Sequence, residues 1–171
     1  MEEADPLKSI NPDVEDMGTR RITQTALTRR MAWTLSLSGF LPFLFLALAL
    51  VFVPESSPQH ITLVDALKTY GAIILSFLGG SRWAMSMRVN NEDRARFTMI
   101  KAVIPSLVGW FSLLLPIPYV FAFQAMAFAG HGAWDSFAGQ RGVYLAWYVK
   151  LRTTLTFLVT GSLVLAFFVT I

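Results

Sequence analysis

The chain has 171 residues, of which 54% are hydrophobic and 15% charged, with a formal charge of +3 and no cysteine. So apolar a composition excludes an ordinary soluble domain of this size, and the lack of cysteine excludes disulfides, thiolate metal sites and cysteine nucleophiles. The modest positive charge does not argue for a nucleic-acid partner, which would want a basic face on a soluble fold.

The N-terminal tail, over 1–30, is acidic and then basic. Asp13, Glu15 and Asp16 make it too acidic for a mitochondrial presequence, and it lacks the apolar core of a signal peptide. From Thr19 to Arg30 it turns basic, as expected of a flank that anchors a following span against anionic headgroups; a partner-binding helix is the other reading. Five apolar stretches follow, over about 31–53, 63–87, 98–115, 117–134 and 153–171. Each approaches the roughly 20 residues that a helix needs to cross a hydrocarbon core about 30 Å thick. The third and fourth are separated by only Pro116, Ile117 and Pro118. Two prolines so placed remove backbone donors and disfavour helix at the preceding residues, which predicts a tight reversal, with one kinked helix as the alternative.

All Lys and Arg other than Lys68 and Arg82 fall before the first span, between the second and third or, for Lys101, in the first turn of the third, and between the fourth and fifth. Short cytoplasmic loops retain such residues and translocated loops avoid them. The predicted fold is therefore all-α, an integral membrane helical bundle of five transmembrane helices. Its N-terminus is cytoplasmic and its C-terminus outside, and residues 31–171 form one domain. A bacterial inner membrane is the expected location, and the lipid bilayer the first partner.

The second span holds most of the candidate residues. Thr62 to Asp65 resembles a capping box that would start the helix, and Lys68 is placed to pair with Asp65 or to snorkel. Ala72, Ser76, Gly80 and Ala84 recur every fourth residue, with Gly71 and Gly79 beside them, and such small-residue stripes let helices approach closely. Arg82 sits beside the stripe at a depth about 9 Å inside the cytoplasmic Arg88, at 1.5 Å per residue. An intramembrane charge is either anchored and paired or part of a substrate or partner site. Asp135, at the inner end of the fourth span, is the expected partner of Arg82.

Other candidates are fewer. His60 and His131 fall at opposite surfaces and cannot share one metal or haem; His131 is placed for a local hydrogen bond to Asp135 at i and i+4. Gln124, near the middle of the fourth span, suits an interhelical hydrogen bond, and Ala125, Ala129 and Ala133 suggest a stripe facing that of the second span. Between Ser136 and Arg152, Trp147 and Tyr148 mix with Arg152 and Lys150, the composition of an interfacial segment or a docking surface. No catalytic, cofactor-binding or metal signature is found.

Tyr70 to Trp83 (Tyr-Gly-Ala-Ile-Ile-Leu-Ser-Phe-Leu-Gly-Gly-Ser-Arg-Trp), Leu41 to Phe43, Pro105 to Trp110 and the Trp-Tyr and Leu-Arg-Thr-Thr-Leu-Thr within Trp147 to Thr156 resemble the membrane family of domain of unknown function 3429 (DUF3429). The resemblance covers roughly Leu35 to Leu165. It implies a small multi-spanning membrane fold shared with bacterial inner-membrane proteins and a vertebrate mitochondrial relative, and it carries no activity. Trp83 is followed by Ala84 where the family leads one to expect glycine, so packing at that point differs. Arg82, Trp83, Gly79, Gly80, Ser76, Asp135 and His131 are the candidate functional or packing residues, and Trp147, Tyr148 and Arg152 the candidate interface. The expected role is a structural, assembly or accessory factor for a larger membrane complex, an energy-transducing one being suggested by the mitochondrial relative. A small oligomeric transporter or channel with Arg82 near an anionic substrate is the alternative. An enzyme is not expected, for want of an obvious general base.

Overall fold

The computed structural model describes residues 12–87, 92–140 and 146–171. Among them the chain is all-α, with five helices: α1 (Pro12–Phe52), α2 (Pro58–Ser86), α3 (Glu92–Ser112), α4 (Tyr119–Gln140) and α5 (Ala146–Val169). Three stretches, Ala26–Phe52, Pro58–Ala84 and Trp147–Val169, are long and apolar enough to cross a membrane. The helices α3 and α4, of 21 and 22 residues, carry Arg94, Arg96 and Lys101, and His131 and Asp135, within their runs.

The chain divides between Ser36 and Leu37. On the first side, residues 12–30 of the acidic-then-basic tail are helix, the first part of α1. Proline's fixed φ suits Pro12 to the first helical position.

Within 37–171 the core is aromatic at its centre. Phe43 is fully buried and meets Tyr70 and Phe128 edge-on, at ring-centroid distances of 5.0 and 5.7 Å. The Tyr70 hydroxyl donates to the Gly39 carbonyl at 2.8 Å, tying α1 to α2. Many large apolar side chains face outward, among them Phe45, Phe77, Leu107, Trp110 and Phe157. Contiguous apolar exposure on this scale marks a surface built for lipid or partners rather than water.

The helix α2 begins a turn earlier than the Thr62 capping box would place it. Ser57 is the N-cap: its hydroxyl accepts from the Gln59 amide at 3.4 Å, with Pro58 at the first helical position. His60, in that first turn, is buried, with Nδ1 3.0 Å from the Val53 carbonyl, so it latches the α1–α2 connection. Asp65 and Lys68 form an i, i+3 ion pair at 2.6 Å on the surface.

Between α3 and α4 the chain reverses. Short-range bonds from Leu113, Leu114 and Leu115 to carbonyls three residues back tighten the end of α3, and α4 starts at Tyr119, just past Pro118. Phe111 and Phe123 meet edge-on at 5.8 Å across the reversal. A single kinked helix is ruled out.

Helix α2 packs extensively on α3, and α4 on α5. Only part of the expected stripe on α2 is packed: Gly71, Ala72 and Gly79 lie inward, and the rest of it turns outward. Ala72, Leu75, Leu78 and Gly79 are buried, whereas Ser76, Gly80 and Ala84 are exposed. At about 100° per residue a four-residue step overshoots a full turn by roughly 40°, so three such steps carry a stripe well round the helix, while steps alternating three and four hold one face. The same drift corrects the α4 stripe: Ala125 is buried, Ala129 and Ala133 are exposed, and the packed residues are Phe121, Ala125, Phe128, Gly132 and Asp135. Helices α2 and α4 do meet, but α2 packs more extensively on α3 and α4 on α5.

Candidate charged site at one end of the bundle

The α2–α3 contact is close enough to need glycine. A Cβ on Gly79 would stand 2.5 Å from the Ala102 carbonyl oxygen, and one on Gly109 would stand 2.9 Å from that of Ala72. This close approach sets the register of α2 against α3 and brings Arg82, one turn beyond Gly79, level with Lys101.

On the other side, the α4–α5 contact is a polar seam. Gly132 leaves room for the Thr156 side chain, Ser136 Oγ lies 3.2 Å from Thr153 Oγ1, and Arg152 Nε donates to Asp135 Oδ2 at 2.7 Å. Arg82 Nη2 donates to the other oxygen of the same carboxylate, Asp135 Oδ1. One buried carboxylate therefore joins three helices through two guanidinium groups. The side chains of Arg82, Asp135 and Arg152 are 13%, 7% and 12% exposed, so the charges are largely withdrawn from solvent. Buried charge is tolerated only when paired and hydrogen-bonded, and Asp135 answers that need for both arginines.

The cluster extends to α3 through aromatic faces. Lys101 Nζ stands 4.0 Å from the Phe97 ring centroid and 4.7 Å from that of Trp134, and Arg82 Cζ is 5.2 Å from the same Trp134 ring. Cations so placed are attracted by the ring quadrupole. His131 Nε2 is 3.9 Å from Asp135 Oδ2, too far for the hydrogen bond its i, i+4 spacing suggested.

The structure places the remaining candidates elsewhere. Gly79 packs against α3, but Ser76 and Gly80 face outward and Trp83 is 42% exposed. Trp147 and Tyr148 are half-buried in the first turn of α5, edge-on to each other at 6.1 Å. Arg152, expected at an interface, is committed to Asp135. Arg141 and the rest of 141–145 lie outside the described residues.

A second polar site lies far from the first. Gln124 is fully buried in the second turn of α4, nearer its start than its middle, and donates from Nε2 to the Lys68 carbonyl at 2.8 Å and to Ser112 Oγ at 2.9 Å. Ser112 passes its own proton to the Gly109 carbonyl at 2.6 Å. Gly71 is the reason this fits, because any Cβ there would collide with the Gln124 amide. The Gln124 bonds join α2, α3 and α4. Sequence reading had missed the Arg152–Asp135 bond, the sharing of Trp134 by two cations, and the Gly71–Gln124 fit. The placing of Arg82, Asp135 and Arg152 at like ends of the apolar stretches read from the sequence was the available signal.

Fold and site define a helical membrane protein in which one buried carboxylate, Asp135, is shared by two arginines from neighbouring helices. Residues 28–168 match the family described as a protein of unknown function (DUF3429), and the chain belongs to that family. It is similar to Transmembrane protein 69 of Xenopus tropicalis, at 29% identity over 135 residues, covering 76% of this chain and 51% of that protein. The chain thus spans about half the length of this curated relative. No solved structure matches.

Proposed function

We infer that the chain is a non-enzymatic accessory or assembly subunit of a larger complex in a bacterial inner membrane, crossing it five times with the N-terminus in the cytoplasm. Two features favour crossing by α3 and α4 as well. Their outward faces carry Ile100, Val103, Leu107, Trp110 and Met126, and the α4 charge is turned inward to Arg82 and Arg152. Basic residues flank the same end of every span, as a retained cytoplasmic side would have them.

The observation that carries the accessory role is the outward stripe of Ser76, Gly80 and Ala84 on α2. Small residues in lipid-facing positions admit close approach of another helix, and the bundle does not use these. The only carboxylate in the charged cluster, among the described residues, is engaged by two arginines, which suits a fastener better than a general base. A small oligomeric transporter or channel draws less support, because Arg82 already holds Asp135. The resemblance to mitochondrial relatives favours an energy-transducing complex as the partner.

The test is extraction in mild detergent at native expression, followed by native gel and mass spectrometry, for the wild type and Gly80→Leu. A Cβ at Gly80 meets nothing within 4 Å, so the variant keeps the internal packing. A stoichiometric heavier complex that Gly80→Leu loses is expected. A wild-type monomer or homo-oligomer, or a complex indifferent to Gly80→Leu, overturns the reading.

A further inference from the structure

Beside the Asp135 cluster, α2, α3 and α4 enclose a cavity of about 190 Å³. That is larger than the roughly 150 Å³ engineered apolar cavity that accepts benzene. One end is lined by Arg82, Lys101, His131 and Trp134, and the remainder by apolar groups including Leu75, Val108 and Met126. The side chains at its margin, Ile104 and Met126, are 50% and 66% exposed, so the cavity opens on the outward face of α3 and α4.

The polar end has more positive charge than the described residues satisfy. Arg82 and Arg152 share one carboxylate, Asp135, and Lys101 lies over the Trp134 ring that Arg82 also faces. Lys101 rests on two aromatic faces, and no described carboxylate pairs with it. Arg82 gives only Nη2 to Asp135, and its Nε is buried with no acceptor. His131, with its side chain 8% exposed, lines the cavity and makes no hydrogen bond with a described residue, its nearest carboxylate oxygen being 3.9 Å away.

We propose that this cavity binds the phosphate-bearing headgroup of an anionic phospholipid, with Lys101, Arg82 and His131 facing the phosphate and an acyl chain lying along Leu75, Val108 and Met126. A polar end at the depth of the charged cluster and an apolar trough open to the side match one amphiphile in both chemistry and direction. Basic pockets between membrane helices on the cytoplasmic side are suited to such headgroups. A soluble anion would use the cations but not the trough. The proposal rests on the five-span reading, since the mouth meets lipid only if α3 and α4 lie in the bilayer.

The full chain is reconstituted in phosphatidylcholine vesicles, and tryptophan fluorescence is measured as brominated phosphatidylglycerol or brominated phosphatidylcholine replaces part of the lipid. The Trp134→Phe variant isolates the Trp134 contribution. Brominated phosphatidylglycerol is expected to quench Trp134 selectively. Lys101→Gln should lower the preference for the anionic lipid about fivefold. Gly130→Leu, which fills the cavity from a position where a Cβ meets nothing within 4 Å, should abolish it. Equal quenching of Trp134 by both lipids, or a preference untouched by both variants, overturns the proposal. Release of the quench by millimolar inorganic phosphate overturns it in favour of a soluble anion. If brominated phosphatidylcholine quenches neither Trp110 nor Trp134, the five-span reading has failed instead.

Discussion

Replacing Asp135 by alanine removes the one carboxylate shared by Arg82 on α2 and Arg152 on α5. Both guanidinium groups are nearly nine-tenths buried, so each is left as an uncompensated charge. Removing one partner of a buried ion pair costs about 3–5 kcal/mol, most of it the penalty on the charge left behind. Arg152→Ala should cost less, about 1–3 kcal/mol, since Asp135 keeps its bond to Arg82. The triple replacement Arg82→Leu, Asp135→Leu and Arg152→Leu should recover most of the loss, because no charge is then stranded. The assay is reversible unfolding in mixed micelles, followed by far-UV circular dichroism, with a double-mutant cycle on Arg82 and Asp135. A coupling of about 2–3 kcal/mol is expected for residues in one buried network. Additivity of Arg82→Ala and Asp135→Ala to within about 0.5 kcal/mol would refute the view that the cluster fastens the helices.

Two further outcomes follow from the packing and the topology. Gly71→Ala should destabilise by about 1–3 kcal/mol in the same assay, because its Cβ displaces the Gln124 amide from two hydrogen bonds, whereas Gly80→Ala should be neutral or stabilising by up to about 1 kcal/mol, being open and a better helix former. The chain has no cysteine, so single cysteines report sidedness cleanly. A membrane-impermeant maleimide should label Ser56→Cys and Leu114→Cys in intact cells and Lys150→Cys only after permeabilisation. Protection of Leu114→Cys until permeabilisation would mean that α3 and α4 stay on the inner side.

Much of the fold was legible because the bilayer imposes local rules. A stretch of apolar residues declares a helix wherever backbone polar groups must bond among themselves, and that requirement is met within each segment. The Pro116–Pro118 reversal and the Asp65–Lys68 pair were readable for the same reason, each being settled over a few residues. The extension of α1 back to Pro12 was not, since a charged stretch carries no such compulsion and its helicity follows from the helix it continues.

Which face of each helix meets which neighbour belongs to the tertiary structure. Inside lipid both faces of a helix are apolar, so hydrophobic periodicity does not distinguish packed from exposed, and the stripe read on α2 joined the packed Ala72 and Gly79 to the outward Ser76, Gly80 and Ala84 while passing over Leu75. Arg82 could be matched with Asp135 from depth alone, the two being the charges that their spans could least leave in lipid. The place of Arg152 on the same carboxylate, the fit of Gln124 against Gly71, and the cavity beside Lys101 and His131 depend on the rotation and register of helices far apart in the chain. Sequence by itself determined the class of protein and the charges that needed company. Only the close approach of α2 to α3 and of α4 to α5 decided which residues supplied it.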